Sequence, residues 1–590
     1  MQSLPQPLLA KHSKRHTIEP ESSNPTGPLV RVTLITRGLG LSKLLCCAGK
    51  HPNAALRGGI LLVDLEELEA PTAPIHAKVC IIGAGLAGHT LAQSLAAAGI
   101  QVALLEAGGR DPEERSQVIY NAKMPRLTHT GTTEGRFRVL GGSTTRWGGQ
   151  LLPYTPEILQ PPASLPSFGW PMDLSEVASY YPACEKLLDA DDYPYDAEPF
   201  LKTFGRPIPP LLNKLPELRA RFSKCAPFSR RNVGTTLGRD LELSADATLY
   251  LHANLTELLL SANGDRIEAA LVRNYAGTKF RFEADHFVLS TGTIETPRLL
   301  LASRSVDPRG VGNAHDQVGR YFHDHVSLPA AVLTGATRKL FLESFGPFLH
   351  RGTAHTVKFE APIALRERLN MLAVMAHIII HEPEDSGVSV VRSMLRTVQR
   401  RDFKDAIFRE LPKVPRASVE VAALAYTAQF SKRRYASPRA DVTLCLDSEQ
   451  MPLPETRIRL DEELDHLGMP RTVVDWTVSD HDLATLRTFA TYLRERFDAL
   501  GLEGVNWRPE IFDPEAEISG ITDTYHPMGG CRMGTDPRQS VVDPNLTVHG
   551  IPNLSLATAA VYPAGGSSNP SFTIMALAMR LADRLKVQLT

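Results

Sequence analysis

The chain has 590 residues, 43% of them hydrophobic, enough for a large core and for two or more domains. Its formal net charge is −1, so no global field favours nucleic acid or an anionic membrane, and no nucleic-acid partner is expected. The seven cysteines (Cys46, Cys47, Cys80, Cys184, Cys225, Cys445, Cys531) contain no C-x-x-C, which excludes a zinc ribbon and a haem-attachment site and argues for a reducing, cytoplasmic compartment, with a periplasmic or organellar one left open.

Residues 1–59 read as a basic, disordered extension. The first fifty hold seven Lys/Arg against Glu19 and Glu21, and Arg31, Arg37 and Lys43 interrupt each apolar run, so no secretory core is present. A strand in ILLVDLEELEA (60–70) and a proline linker follow. Then AKVCIIGAG (77–85) is the continuous apolar run of a doubly covered parallel strand, and Gly83, Gly85 and Gly88 complete G-x-G-x-x-G. One glycine makes the tight turn, one admits pyrophosphate, and the third lets helix and strand pack closely. HTLAQSLAAAGI reads as the helix and QVALLEAGG (101–109) as the next strand. Glu106, 18 positions past Gly88, can bind ribose hydroxyls. This unit serves NAD and FAD equally.

VLGGSTTRWGGQ (139–150) is a second glycine loop. Gly141, Gly142, Gly148 and Gly149 bracket Ser143 and Trp147, letting backbone N–H groups approach a phosphate or a flavin edge, although an ordinary glycine loop would look the same. TLYLHANLTELLL (248–260) and RIEAALVRN (266–274) read as paired strands around an Asn263-Gly264 turn. Thr291 and Gly292 end the next strand and should approach the nucleotide. Residues 326–515 read as a mixed substrate domain, with a strand in LAVMAHIII (372–380). Within it, 387–439 carries twelve Lys/Arg against four acids, and Val388, Val391, Leu395 and Val398 share a helical face. Such a stretch can dock a membrane or an acidic partner, although a solvated covering helix is the plainer reading. No segment reads as a transmembrane helix; Pro552, Pro563, Pro570 and Gly565-Gly566 break the uncharged run 550–579 into strand, loop and helix.

His526 in HPMGGCRMG (526–534) and Asn569 in SSNPSFT (567–573) carry the chemistry. An imidazole takes a proton near neutral pH, and a carboxamide orients a hydroxyl. Asn569 also precedes Pro570, where a helix should start. His323 and His325 in RYFHDH resemble a metal pair but read as structural, Cys531 reads as buried and inert, and no metal is expected.

In order along the chain, GAGLAG with Glu106, LGGSTTRWGG, VLSTGTIETPRLLLAS (288–303), HPMGGCRMG with SVVDPNLTVHGIPNLSLA (540–557), and AAVYPAGGSSNPSFTIMALAMRLAD (559–583) resemble the glucose–methanol–choline (GMC) oxidoreductases. The details are similar to bacterial sugar and polyol dehydrogenases and, in the loop, to pyranose oxidase. The resemblance implies FAD. It also implies a doubly wound α/β FAD domain in three blocks (60–155, 248–325 and 516–590), a connecting or lid region at 156–247, and an inserted α+β, sheet-based substrate domain at 326–515. It makes His526 the general base for oxidation of a CH–OH group of a sugar, polyol or other alcohol, with Asn569 on the same hydroxyl and hydride passing to flavin N5. It adds Leu255, Ala559, Asn569, Pro570 and Thr573 to the expected cofactor contacts. Pyranose oxidase binds FAD covalently through a histidine where this chain has Arg146, so non-covalent FAD is expected. Thr558 and Ala560 stand where many members have aspartate and serine, which puts the usual side-chain contacts to the ribityl chain in doubt. The electron acceptor, whether oxygen, a quinone or a redox protein, is open. The alternatives are a family lyase or decarboxylase without net redox, and a flavin subunit that needs a partner acceptor.

Overall fold

Four apolar residues at the end of the strand Ile75–Ile82 are buried, as its uninterrupted hydrophobic run requires, and parallel strands cover both of its edges. The computed structural model describes residues 62–160, 169–205, 208–350, 352–400, 414–427 and 435–589. The expected extension at 1–59 lies outside them, as do 401–413 and 428–434 of the basic stretch.

The first sheet has eight strands. Leu62–Asp64, Ala247–Leu251, Val102–Leu105, Ile75–Ile82, Lys279–Leu289 and Leu554–Leu556 run parallel in that spatial order. Ile267–Arg273 and Asn254–Leu260 add an antiparallel hairpin to Lys279–Leu289. Helices Leu86–Ala96 and Pro570–Leu589 pack together within this doubly wound unit. The sequence reads 248–260 as one strand, but the chain breaks it at His252 (φ 53°). The His252 ring bridges Asp64 (2.6 Å) and Glu113 (3.2 Å), and that long-range anchoring turns the chain from the parallel sheet into the hairpin.

The second sheet has nine antiparallel strands, centred on His325–Leu333, Asp441–Glu449, Val374–His381, Thr353–Glu360 and Arg219–Cys225. Its strands alternate. Val326, Leu328, Leu444, Leu446, Val357 and Phe359 enter an apolar core, while their neighbours turn a polar face the other way. The expected boundaries shift accordingly. Arg219–Cys225, read as lid, and Thr522–Asp523, read as FAD domain, both pair into this substrate sheet. The pairing is non-local, so local pattern does not reveal it. Helices Gly387–Arg400 and Val414–Tyr426 pack on one another, with the Glu420 carboxylate accepting the Gly387 N–H at 2.6 Å. Val388 and Val390 are buried there, whereas Val391 is half-buried and the Leu395 and Val398 side chains lie outside the description. Among the described residues, no helix is long and apolar enough to cross a membrane.

Candidate active site

The nucleotide turn forms where the strand Ile75–Ile82 meets the helix Leu86–Ala96. Gly83 has φ +105°, and a Cβ there would lie 2.5 Å from Ser290 O. A Cβ on Gly88 would lie 2.0 Å from Gly83 O, so this glycine serves the helix–strand contact and stands behind the cavity wall. Gly85 meets nothing within 4 Å and faces open space, which admits a ligand backbone-close to the helix N-terminus. Glu106 closes the next strand. Its carboxylate accepts the N–H groups of Ala84 (3.2 Å) and Gly108 (2.9 Å), and burial pushes it up to about 7.

A cavity of about 610 Å³ runs from this turn to the pair proposed for catalysis, a volume typical of cofactor clefts. Gly83, Gly85 and Glu106 line its nucleotide end, with Leu255, Thr291 and Gly292 beside them. Gly142, Ser143, Trp147 and Gly148 line it from the second loop, and His526, Ala559, Asn569 and Pro570 close the far end. Three expected contacts lie outside the wall. Gly88 packs behind it, Gly141 (φ +96°) abuts Asn232 and Gly234, and the buried Thr573 hydroxyl bonds Tyr181 at 2.7 Å. Thr558 is in the wall, but its hydroxyl accepts the Ala560 N–H at 2.9 Å. Two buried wall atoms, Arg138 Nε and Asn569 Oδ1, have no partner among the described residues, as fits a wall built to meet a polar group.

The two ends of one constellation come from distant chain segments. His526 follows the short strand Thr522–Asp523, and Asn569 immediately precedes the helix Pro570–Leu589. The backbone N–H groups of Gly565 (3.0 Å) and Gly566 (2.8 Å) are held by Glu449, which fixes the loop before Asn569. Asn569 Nδ2 lies 2.7 Å from His526 Nε2. On the other side of the ring, Nδ1 lies 2.8 Å from Thr524 Oγ1 and 3.1 Å from His325 Nδ1.

Proton placement follows from Asp324. Burial pushes its carboxyl up, but the His129 hydrogen bond and the nearby His129, His526 and His325 outweigh this and hold it below the usual range. An ionised carboxylate only accepts. Asp324 Oδ1 therefore takes the Thr524 hydroxyl (3.1 Å) and the N–H groups of His325 (2.7 Å) and His526 (3.1 Å). Thr524 Oγ1 is then left to accept from His526 Nδ1–H. The His526 Nε2 lone pair faces Asn569 and the cavity. Burial, then His325, lowers His526 to about 4, so the imidazole is neutral at physiological pH.

Asp324 also joins His129 Nε2 at 3.1 Å. His129, Asp324 and Asp523 bring possible metal-ligand atoms within 4.8 Å of one another. Each already has protein partners: His129 has Asp324, and Asp523 accepts the N–H groups of Thr130 (2.6 Å) and Gly131 (2.8 Å). The set therefore acts as a hydrogen-bonded brace. His323 Nδ1 donates to Tyr321 O in its own loop (2.9 Å), and Cys531 is fully buried with its thiol pushed up by burial. Sequence reasoning missed Asp324, read His325 as structural although it touches His526, and missed Thr524, His129 and the wall residues Arg136, Arg138 and Glu295. RYFHDH held the signal for the first two, since a carboxylate between two histidines in an apolar setting must find donors.

Two family models described as GMC oxidoreductase match, one for the N-terminal part at residues 230–327 and one for the C-terminal part at 452–578. A model described as FAD binding domain matches 76–145. The chain is 23% identical to the fructose dehydrogenase large subunit of Gluconobacter japonicus, over 87% of this chain and 98% of that one. It is 24% identical to 2-methyl-1,2-propanediol dehydrogenase of Mycolicibacterium austroafricanum, over 87% and 95%. Among solved structures, formate oxidase superposes with a TM-score of 0.54 at 18% identity, over 88% of this chain and 99% of that one. Pyridoxine 4-oxidase from Mesorbium loti gives 0.50 at 16%, over 86% and 99%.

Proposed function

The chain belongs to the GMC oxidoreductase family and is an FAD-dependent alcohol oxidoreductase, and we propose that His526 is the base that starts oxidation of a polar alcohol to its carbonyl. The observation that carries this reading is His526 Nε2 in the cavity wall, 2.7 Å from Asn569 Nδ2. When bound, FAD supplies the hydride acceptor, at N5, for the hydrogen on the carbinol carbon. The residues Gly83, Gly85 and Glu106 would hold its nucleotide part, and Gly142, Ser143 and Ala559 its flavin end.

The substrate hydroxyl takes the place of the Asn569 amide at Nε2, donates its proton there, and accepts from Asn569 Nδ2. Loss of that proton raises electron density on oxygen and loosens the geminal C–H bond. Asp324, through Thr524, keeps the Nδ1 proton in place and favours the imidazolium that forms. We propose that FAD is held non-covalently, because Arg146, in the cavity wall, is a guanidinium with no free lone pair to form a bond.

Anaerobic mixing of the purified protein with sugars, polyols and monohydric alcohols tests the reading. Bleaching of the flavin band by an alcohol is expected, with FAD released on denaturation; readmitting air then separates oxidase from dehydrogenase. Retained FAD that no alcohol reduces would overturn it.

A further inference from the structure

The polar face of the substrate sheet holds a cation that the chemistry above does not use. Lys358 is 7% exposed, and its ammonium has no hydrogen bond or ion pair among the described residues. Burying a charged group without a partner is costly, so a lysine kept in this state needs a ligand to justify it. Burial lowers its pKa, as such a site requires.

Strand register places it on the sheet face that also carries His325. Phe359 pairs with Ala376 on the apolar side, so Lys358 and His377, the adjacent residues, share the other face. His377 Nε2 meets Asp447 at 2.8 Å, and the Ser327 hydroxyl donates to Asp447 at 2.6 Å. Ser327 is two residues from His325 on the same strand and face, and His325 touches His526. From the other direction, Gln150 in the cavity wall bonds Ser223 (2.6 Å) and Thr356 (3.2 Å), and Thr356 is two residues from Lys358. The charges of Asp447 and Lys358 both reach His526.

We propose that Lys358 and Asp447 form a specificity subsite for the non-reacting hydroxyls of a neutral, polyhydroxylated substrate, an inference that rests on the alcohol-oxidising reading above. The charge count favours a neutral ligand. Lys358 is balanced by Asp447, and Arg221 on the same face is matched by Glu360 at 3.0 Å. The donor count favours hydroxyls. Three ammonium N–H groups need acceptors, and Asp447, held ionised well below the usual range despite its burial by His377, Lys358 and Ser327, keeps lone pairs for donors. A hydroxyl supplies both, whereas an ether or an alkyl chain does not.

Flavin reduction by sorbitol, glucose and inositol, each against cyclohexanol, tests the subsite in the full-length FAD enzyme. The Lys358→Met variant should raise KM for the preferred polyol about 10- to 100-fold, as expected for one lost charge-assisted hydrogen bond, with a smaller fall in kcat. The preference for polyol over cyclohexanol in kcat/KM should fall by a similar factor, and Lys358→Arg should restore most of it. Both variants should keep their FAD. If wild type is reduced by alcohols and Lys358→Met keeps the polyol preference, the subsite is wrong and the functional reading stands. If gluconate is preferred over glucose and loses that preference in Lys358→Met, the ligand is anionic and the neutral assignment is overturned. If no alcohol reduces the wild-type flavin, the functional reading itself fails.

Discussion

Replacing Asp324 with asparagine isolates the charge behind the proposed base. The carboxamide oxygen can still accept from Thr524 Oγ1 and from the N–H groups of His325 and His526, at 3.1, 2.7 and 3.1 Å in the wild type. The amide nitrogen then faces His129 Nε2, which turns acceptor by moving its proton to Nδ1, toward Thr132 Oγ1 at 3.0 Å. Geometry therefore survives while one negative charge is lost. That charge raises the His526 pKa, and an opposite charge at such range is worth about 1–3 units. One to two units correspond to about 1.4–2.7 kcal/mol, so flavin reduction should slow about 10- to 100-fold, with FAD content unchanged. Stopped-flow reduction across pH reads this out. The plateau should fall and the acid limb should move to lower pH together. A plateau within twofold of wild type, with FAD retained, would refute the role assigned to Asp324.

Wild-type reduction should itself be nearly flat above pH 5. The base is active when neutral, and burial lowers His526 to about 4, so activity is lost only as pH falls through that value. A half-maximum near pH 6.5 would mean an unperturbed imidazole. Two glycines should behave oppositely as alanines. Gly88→Ala places a Cβ 2.0 Å from a backbone oxygen and should prevent folding, whereas Gly85→Ala meets nothing within 4 Å and should fold but bind FAD at least tenfold more weakly. Equal thermal midpoints for the two apoproteins would contradict this division of roles.

The parts of the molecule that were legible in sequence are those whose cause is local. Gly83, Gly85 and Gly88 announce themselves because a tight turn, an open approach and a close packing each demand a missing Cβ at a fixed spacing. His526 and Asn569 stand out by residue type within short motifs, although nothing in their spacing of 43 foretells a 2.7 Å contact. The brace behind them was not legible. His129 and Asp324 are 195 positions apart, and only the folded chain makes them partners. The same holds for the substrate sheet. Arg219–Cys225 looks like connecting chain until Thr353–Glu360 pairs with it, and the strand read through 248–260 breaks because His252 is anchored to Asp64, 188 positions away. Lys358 shows the limit in another way, since one lysine in an alternating strand has the appearance of a solvent-facing residue, yet in the folded chain it is 7% exposed.

The most direct test of the central claim is the anaerobic rate of flavin reduction in wild type and His526→Ala, using the best alcohol with hydrogen or deuterium on its carbinol carbon. A positioned base contributes about a hundredfold to ten-thousandfold, so the variant should slow by that much while keeping FAD, and deuterium should slow C–H cleavage in both proteins. A His526→Ala rate within threefold of wild type, at equal FAD content, would contradict the assignment of His526 as the base.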